Sequence, residues 1–226
     1  MPRMKWDQDG ERKFEAGVEN VAIALLGSDG YGKPVPWNGC TAFNEQPQGG
    51  EATKIYADNR HYLTLYSAET VDFTVEAYTY PDEFKACNGE LALVKGVTIG
   101  QQTRKAFGAQ YVTLIGNDIE LQNHGKKIHV IYGCRVSPSE KGHSTINENL
   151  ETSPMSWNGT TSPVEVEVDG EIRTTATLEI DSTEVGKTAF DAVYAALYGS
   201  DNPDKEPAFL MPDEILAIVQ EAIAGE

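Results

Sequence analysis

The sequence has few basic residues, few cysteines and no long apolar run, and each shortage argues against a class of protein. The longest aliphatic run is six residues, 21–26, far below the ~20 residues that a membrane-spanning helix needs. Residues 1–6 lack the apolar stretch of a secretory signal. We therefore expect a chain that has no membrane partner and stays in the compartment where it is made.

Cysteine and histidine are too sparsely placed to predict a metal site. Cys40, Cys87 and Cys134 are widely spaced and odd in number, a pattern that supports neither a disulfide framework nor a paired-cysteine metal knuckle. The four histidines do not have the spacing of zinc ligands. We predict buried, reduced thiols, with no metal ligands and no cofactor-binding residues.

Basic residues are scarce relative to acids, and the imbalance is uneven along the chain. Lys and Arg number 18 against 35 Asp and Glu, a formal net charge of −17. Residues 1–147 contain 15 basic and 18 acidic residues, net −3, whereas residues 148–226 contain 3 and 17, net −14. Nucleic-acid binding depends on neutralising phosphates with Lys and Arg, so this composition argues against it.

Alternation of apolar and polar residues is the dominant local pattern, and it predicts β-strands. Residues 71–78 alternate over their whole length, as do residues 164–168. The second run reaches Asp169-Gly170, a strong hairpin signal because both residues tolerate positive φ, and the alternation resumes over 172–180.

A second hairpin is predicted from residues 119–121, through a turn at 123–126, into 128–136. Further strands are predicted over 18–26, 62–66, 97–99 and 111–115. About nine strands connected by hairpin turns predict a mainly β fold, an antiparallel β-sandwich or open barrel.

Helices are predicted at only three places. A short flanking helix is expected over 81–87, where Pro81 stands at a first-turn position, and another over 188–198. Residues 212–224 place apolar side chains on one stripe, so this helix needs a surface to cover.

The remaining segments complete the predicted domain organisation. Residues 38–59 are rich in Gly, Asn and Gln and predict a long exposed loop or a flexible hairpin. We divide the chain into an N-terminal arm (1–16), a β-sandwich domain (17–186) that carries this loop, and an acidic helical C-terminal extension (187–226).

The only motif with a catalytic precedent is residues 181–188, a strand followed by Gly-Lys-Thr. A phosphate-binding loop needs glycine where Asp181 stands, and Glu184 adds a second anion inside the loop. Both carboxylates would repel a nucleotide, so we predict a strand-to-helix turn with a threonine cap. No catalytic residues are predicted, and the chain is not expected to be an enzyme.

Taken together, the chain resembles the major tail proteins of siphophages, whose subunits stack into the tail tube. The resemblance covers about residues 1–185 and is carried by 17–24, 49–62, 76–84 and 127–136. It implies a tail-tube β-sandwich, homohexameric rings that stack, and a lumen that conducts DNA without binding it specifically. It also implies tape-measure, tail-terminator and distal-tail proteins as partners, and a virion tail made in the bacterial host cytoplasm.

This resemblance suggests two groups of functional residues. The candidate lumen-facing acids are Asp72, Glu76, Glu165 and Glu167. The candidate inter-subunit contacts are Phe43, Ile55, Tyr56, Arg60, Ile215, Leu216 and Val219. Two alternatives stay open: a tube subunit of a contractile tail or secretion-type apparatus, and a carbohydrate-binding β-sandwich, which scattered tryptophans make less favoured.

Overall fold

The computed structural model describes residues 3–143, 145, 152, 154–168, 170–201 and 204–225. Strands make up 50% of these described residues and helices 16%, so the predicted mainly β class is confirmed. The strand pairs are antiparallel, as expected when short turns connect successive strands.

The strands of the first half are β1 (Phe14–Gly27), β2 (Gly30–Tyr31), β3 (Val35–Pro36), β4 (Cys40–Gln48), β5 (Ala52–Ala57), β6 (Arg60–Tyr66), β7 (Thr70–Ala77), β8 (Leu91–Val94) and β9 (Val97–Ile99). Those of the second half are β10 (Phe107–Asn117), β11 (Leu121–Val136), β12 (Met155–Thr160), β13 (Val164–Val168), β14 (Glu171–Thr175), β15 (Thr177–Asp181), β16 (Ser200–Asp201) and β17 (Asp204–Lys205). The helices are α1 (Phe84–Cys87), α2 (Ser182–Val185), α3 (Lys187–Tyr198) and α4 (Pro212–Ala224).

Nine strands form one sheet that folds over on itself. Its order is β2-β1-β10-β11-β12-β7-β4, with β3 beside β1 and β15 beside β11. Strand β11 belongs to both halves, since residues 127–131 pair with β15 and residues 135–136 pair with β12. Gly133 lies between these two stretches with φ +62°, and a Cβ there would lie 2.2 Å from the Ser162 carbonyl oxygen. Glycine is therefore required where β11 passes from one layer to the other.

The first core fills the space between the two layers. Strand β10 faces it with Phe107, Ala109 and Tyr111, while β7 and β12 contribute Phe73 and Trp157 from the opposite layer. All of these side chains are buried. The alternation of each strand thus supplies one apolar face to a shared interior.

The second core lies on the other face of β10 and β11, where α3 and α4 cover the sheet. Its buried members are Ala24, Val112, Ile128, Val130, Tyr132, Ile180, Phe190, Val193, Leu197, Phe209 and Ile215. Phe209 packs so tightly on β10 that a Cβ on Gly108 would lie 2.2 Å from its ring. The C-terminal helices therefore form a layer of the fold, and the sheet is the surface that the apolar stripe of α4 covers.

Two of the predicted segments differ in the structure. Residues 38–59 are strands and not a long loop, because 40–48 form β4, paired with β7, and 52–57 form β5. The hairpin alternative holds only for β5, which pairs with β6. The β10–β11 turn lies at 118–120, so residues 123–126 belong to a strand. Asn117 explains this shift, since its side-chain oxygen accepts hydrogen bonds from the backbone N–H groups of Ile119 and Glu120.

The other predicted elements agree closely with the structure. The hairpin expected around residues 169–170 forms as β13–β14, although Asp169 itself lies outside the described residues. The single strand expected over 172–180 is divided into β14 and β15, which belong to different sheets. Helices occur at 187–198 and 212–224, and the short helix over 81–87 is reduced to its last turn, α1.

Candidate functional site

Strands β5 and β6 form a two-stranded ribbon, residues 52–66, that extends the β4–β7 pair beyond the body of the fold. The register continues from Gln48–Thr70 in the body to Ala52–Tyr66 in the ribbon. At the junction Gly49 has φ +89°, and a Cβ there would lie 2.4 Å from the Ala68 carbonyl oxygen. The positive φ and this close approach together require glycine at the base of the ribbon.

The ribbon buries almost none of its own apolar surface. Its most exposed large side chains are Tyr56, Tyr62, Leu65 and Tyr66, with 65%, 69%, 53% and 74% of their surface exposed. Ile55, another predicted contact, is 38% exposed, and Arg60 is exposed at the start of β6. The structure thus brings Ile55, Tyr56 and Arg60 together on one protruding element.

Phe43, a fourth predicted contact, lies in the core. Its ring stacks on Phe73 and Tyr111, with centroids 5.6 Å and 4.8 Å away, and only 8% of its surface is exposed. The sequence placed Phe43 in a loop, whereas β4 turns its side chain inward between the layers. Its assignment to a subunit contact is therefore wrong.

The three other predicted contacts lie on α4 but differ in burial. Ile215 is buried in the second core, with 1% exposed, so its assignment to an inter-subunit contact is also wrong. Leu216 and Val219 are half-buried. Leu216 lines a groove of about 340 Å³ between α4 and the β13–β14 hairpin, together with Glu167 and Asp213.

The four predicted lumen acids lie on two different sheets. Asp72 and Glu76 belong to β7, on the side opposite the buried Phe73 and Val75. Glu165 and Glu167 are exposed on the β13–β14 hairpin, next to α4. The structure therefore brings the acids together only in pairs.

Asp72 and Glu76 belong to a surface made by three strands, which we call the polar face. Register and alternation place on it Asn44, Gln46, Asp72, Thr74, Glu76, Ser156, Asn158 and Thr160. Thr74 connects the strands, donating to Asn158 Oδ1 at 2.8 Å and accepting from Gln46 Nε2 at 3.5 Å. None of these eight residues is Lys or Arg, so the polar face presents hydrogen-bonding groups and carboxylates.

A buried polar cluster, which the sequence analysis did not predict, surrounds His129 on β11. The ring stacks on Tyr111 with centroids 4.5 Å apart. Its Nε2 lies 3.1 Å from Glu15 Oε1 and 3.0 Å from Thr113 Oγ1. Its Nδ1 lies 3.7 Å from a carboxylate oxygen of Glu45 and has no hydrogen-bond partner. A sequence signal for this position existed: Ile128 and Val130 are apolar and alternate with His129, which predicts that His129 lies on the opposite face of the strand from them.

Charge and hydrogen bonding stabilise this cluster across the strands. Burial alone would raise the pKa of the Glu15 carboxyl, but hydrogen bonds from Lys127 and Thr113 outweigh it and lower that pKa. Burial also raises the pKa of Tyr111, reinforced by its 2.6 Å hydrogen bond to Glu45. Tyr111 therefore stays protonated and donates to Glu45, which connects β10 to β4.

Residues 181–188 form the short helix α2 followed by the start of α3 at Gly-Lys-Thr. The Asp181 side chain accepts hydrogen bonds from the Thr183 N–H at 2.8 Å and hydroxyl at 2.7 Å. Lys187 forms an ion pair with Asp191 at 2.5 Å. Asp181 therefore caps α2, whereas α3 begins after Gly186 without a side-chain cap, so the predicted threonine cap is wrong.

The cysteine thiols are poor nucleophiles in this fold. Burial raises the pKa of Cys87 to about 12 and that of Cys40 to about 11. In the described part of the chain, no three His, Cys, Asp or Glu side chains are placed to hold a metal ion. None of the helices in those same residues has the length and apolarity needed to cross a membrane.

Comparison with known proteins adds no relative to this picture. No protein-family model matches the chain, and no curated protein matches it.

Proposed function

We propose that the chain is a structural subunit that assembles with copies of itself into the tail tube of a long-tailed bacteriophage. The observation that carries this proposal is the ribbon, whose Tyr56, Tyr62, Leu65 and Tyr66 are all more than half exposed. A two-stranded hairpin is at best marginally stable alone in water. Grouped exposed apolar side chains of this kind mark a surface that contacts another molecule. In a tube that molecule is another copy of the same chain.

Open sheet edges support the same proposal. Within the described residues, β4 pairs only with β7, and β15 pairs only with β11. Unpaired strand edges are templates for pairing with another chain. A head-to-tail arrangement pairs the β4 edge of one copy with the β15 edge of the next, and six such contacts close the ring.

The polar face is suited to line the bore of this tube. Duplex DNA carries one negative charge per about 1.7 Å, so a basic lining would hold it by releasing counterions. Asp72 and Glu76 repel phosphates, and the neighbouring amides and hydroxyls are uncharged. We therefore assign the lumen to the face that carries Asp72 and Glu76, and not to the hairpin that carries Glu165 and Glu167.

Self-assembly is tested by concentrating the purified chain and examining it by sedimentation velocity and negative-stain electron microscopy. We expect rings or tubes with a central hole. Replacing Tyr56 and Tyr66 with serine should prevent assembly while leaving the circular dichroism spectrum unchanged. Replacing Ile119 and Leu121, both more than half exposed at the β10–β11 turn, with serine is the matched control. A wild-type chain that stays monomeric at high concentration would refute the proposal.

The lumen assignment is tested on assembled tubes with a short fluorescent DNA duplex. Wild-type tubes should not retain the duplex at low salt, whereas tubes of an Asp72→Lys, Glu76→Lys variant should retain it in sedimentation. The control carries the same charge change as Asp82→Lys, Glu83→Lys, at two exposed acids just before α1. Equal retention by the two variants would place Asp72 and Glu76 outside the bore.

A further inference from the structure

The ribbon carries positive charge that has no ion-pair partner among the residues that the structure describes. Lys54 and Arg60 form no ion pair in the described part of the chain, and Asp58 is the only acid in the ribbon. The remainder of the chain is strongly acidic, since the formal net charge is −17. The ribbon is therefore a basic, aromatic element on an acidic molecule.

The groove between α4 and the β13–β14 hairpin has the complementary character. Its lining combines Glu167 and Asp213 with the apolar Leu216 and Ala217, and its volume is about 340 Å³. The Asp213 carboxylate accepts a hydrogen bond from the Glu167 N–H at 3.0 Å, which joins hairpin to helix. A cavity of about 150 Å³ can hold a benzene ring, so the groove has room for an aromatic side chain.

The acids around this groove are not neutralised by their own chain. Arg173, the one basic residue of the hairpin, contacts Glu171 at 3.4 Å. Glu165 and Glu167 form no ion pair among the described residues, and Asp213 makes only its backbone hydrogen bond. The groove thus presents unpaired carboxylates around an apolar floor.

From this complementarity we propose that the ribbon of one copy binds the acidic groove of the next copy. Lys54 shares a face of the ribbon with Tyr56 and Tyr66, whereas Arg60 lies at the tip on the other face. In the proposed contact the tip enters the groove, so that Lys54 and Arg60 reach its carboxylates from two sides and a tyrosine covers the Leu216 floor. This inference rests on the proposed self-assembly and names its contact. It brings the predicted contacts Tyr56, Arg60 and Leu216, which lie on separate elements of one chain, into a single interface.

Geometry favours contact between copies. A strand of six residues at about 3.3 Å per residue reaches about 20 Å, and the tyrosines of the ribbon remain exposed on its own chain. Each chain has one ribbon and one groove, so every copy gives one contact and receives one. Such a heterologous contact generates a ring where the rotation closes and a filament where it does not.

A charge-reversal experiment tests this interface. Variant one is Lys54→Glu with Arg60→Glu, and variant two is Glu165→Lys with Glu167→Lys. Each places like charges against each other, so each should raise the concentration needed for assembly about tenfold. An equimolar mixture of the two variants should recover assembly in alternating order, because the native ribbon of variant two meets the native groove of variant one and the reversed ribbon of variant one meets the reversed groove of variant two. A single chain with all four changes should recover assembly for the same reason.

The controls carry one equivalent charge change each on other elements, Lys95→Glu at the β8–β9 turn and Glu83→Lys beside α1. Both should assemble as the wild type does. If variants one and two also assemble normally, the ribbon–groove contact is wrong while the tube proposal stands. If both lose assembly and the four-change chain does not recover it, the charges do not face each other and the inference is refuted.

A crosslink gives a measurement that does not depend on tube formation. One copy carries Arg60→Cys and the other Glu165→Cys, and mild oxidation of the mixture should give a disulfide-linked dimer of the two. Pairing Arg60→Cys with Glu83→Cys should not. Crosslinking without tubes would support the contact and refute the tube proposal, whereas tubes with equal crosslinking in both mixtures would refute the contact.

Discussion

Replacing Ile215 and Leu216 separately distinguishes a helix that completes the fold from one that docks elsewhere. Ile215 is 1% exposed and packs with Phe190, Val193 and Phe209 in the second core. Ile215→Ala removes three carbons. At about 0.8 kcal/mol per buried methylene, this lowers the free energy of unfolding by about 2.4 kcal/mol. The cavity left by the missing carbons adds to this cost, so the expected decrease in the free energy of unfolding is about 2–5 kcal/mol.

Leu216→Ala is the matched control, since it lies on the same helix but lines the groove and is only half-buried. Its loss in the free energy of unfolding should stay below about 1.5 kcal/mol. Urea unfolding followed by tryptophan fluorescence measures both variants, because Trp37 and Trp157 are buried in the first core. For a chain of this size we expect Ile215→Ala to lower Tm by at least about 5 °C.

Two results would refute this reasoning. Equal destabilisation by both substitutions would mean that α4 does not bury Ile215 in preference to Leu216. Wild-type stability of Ile215→Ala, together with lost assembly, would mean that the helix docks on another copy. The expected pattern is the reverse, in which Ile215→Ala weakens folding and Leu216→Ala weakens assembly.

Two further predictions concern glycine and pH. Gly133→Ala should cost at least about 2 kcal/mol in urea unfolding, because it combines a positive φ with a clash at Ser162, whereas Gly142→Ala, with open space around it, should change stability by less than about 0.5 kcal/mol. Burial raises the pKa of the Glu90 carboxyl, but the hydrogen bond and charge of Lys141 outweigh it and lower that pKa. The Glu90–Lys141 interaction therefore contributes to stability above the unfolded pKa of about 4.3, and this stabilisation is lost as pH falls through the folded pKa. Lys141→Met should be less stable than the wild type near pH 7, with the difference shrinking below about pH 4; a constant difference would contradict it.

Local patterns predicted the elements of this fold better than their arrangement. The alternation of residues 71–78 and 164–168 identified β7 and β13, and the apolar stripe of 212–224 identified α4. Both patterns depend only on residues close together in the sequence, so they can be recognised without knowing the tertiary structure. The layer covered by each element depends on partners distant in sequence.

The errors have a common physical origin. Residues 40–48 contain Asn, Gln and Pro, which disfavour strands, but pairing with β7 and the burial of Phe43 outweigh that preference. The same outward-facing polar residues that suggested a loop form the polar face. For the candidate contacts, composition identified exposed aromatics such as Tyr56, but it could not distinguish Ile215 from Leu216, because one residue along a helix turns the side chain by about 100°.

The acidity of the C-terminal segment has a consequence for assembly that can be measured. Residues 148–226 carry net −14, so two copies repel at distances beyond the contact, while Lys54 and Arg60 attract the groove only at short range. The Debye length falls from about 30 Å at 0.01 M salt to about 10 Å at 0.1 M and about 3 Å at 1 M. Moderate salt should therefore screen the long-range repulsion first and promote assembly, whereas salt near 1 M should also weaken the contact pairs and reverse it. Light scattering across this range should pass through a maximum, and in the Lys54→Glu, Arg60→Glu variant it should only rise. A wild-type signal that rises steadily with salt would mean that apolar contacts alone hold the copies together.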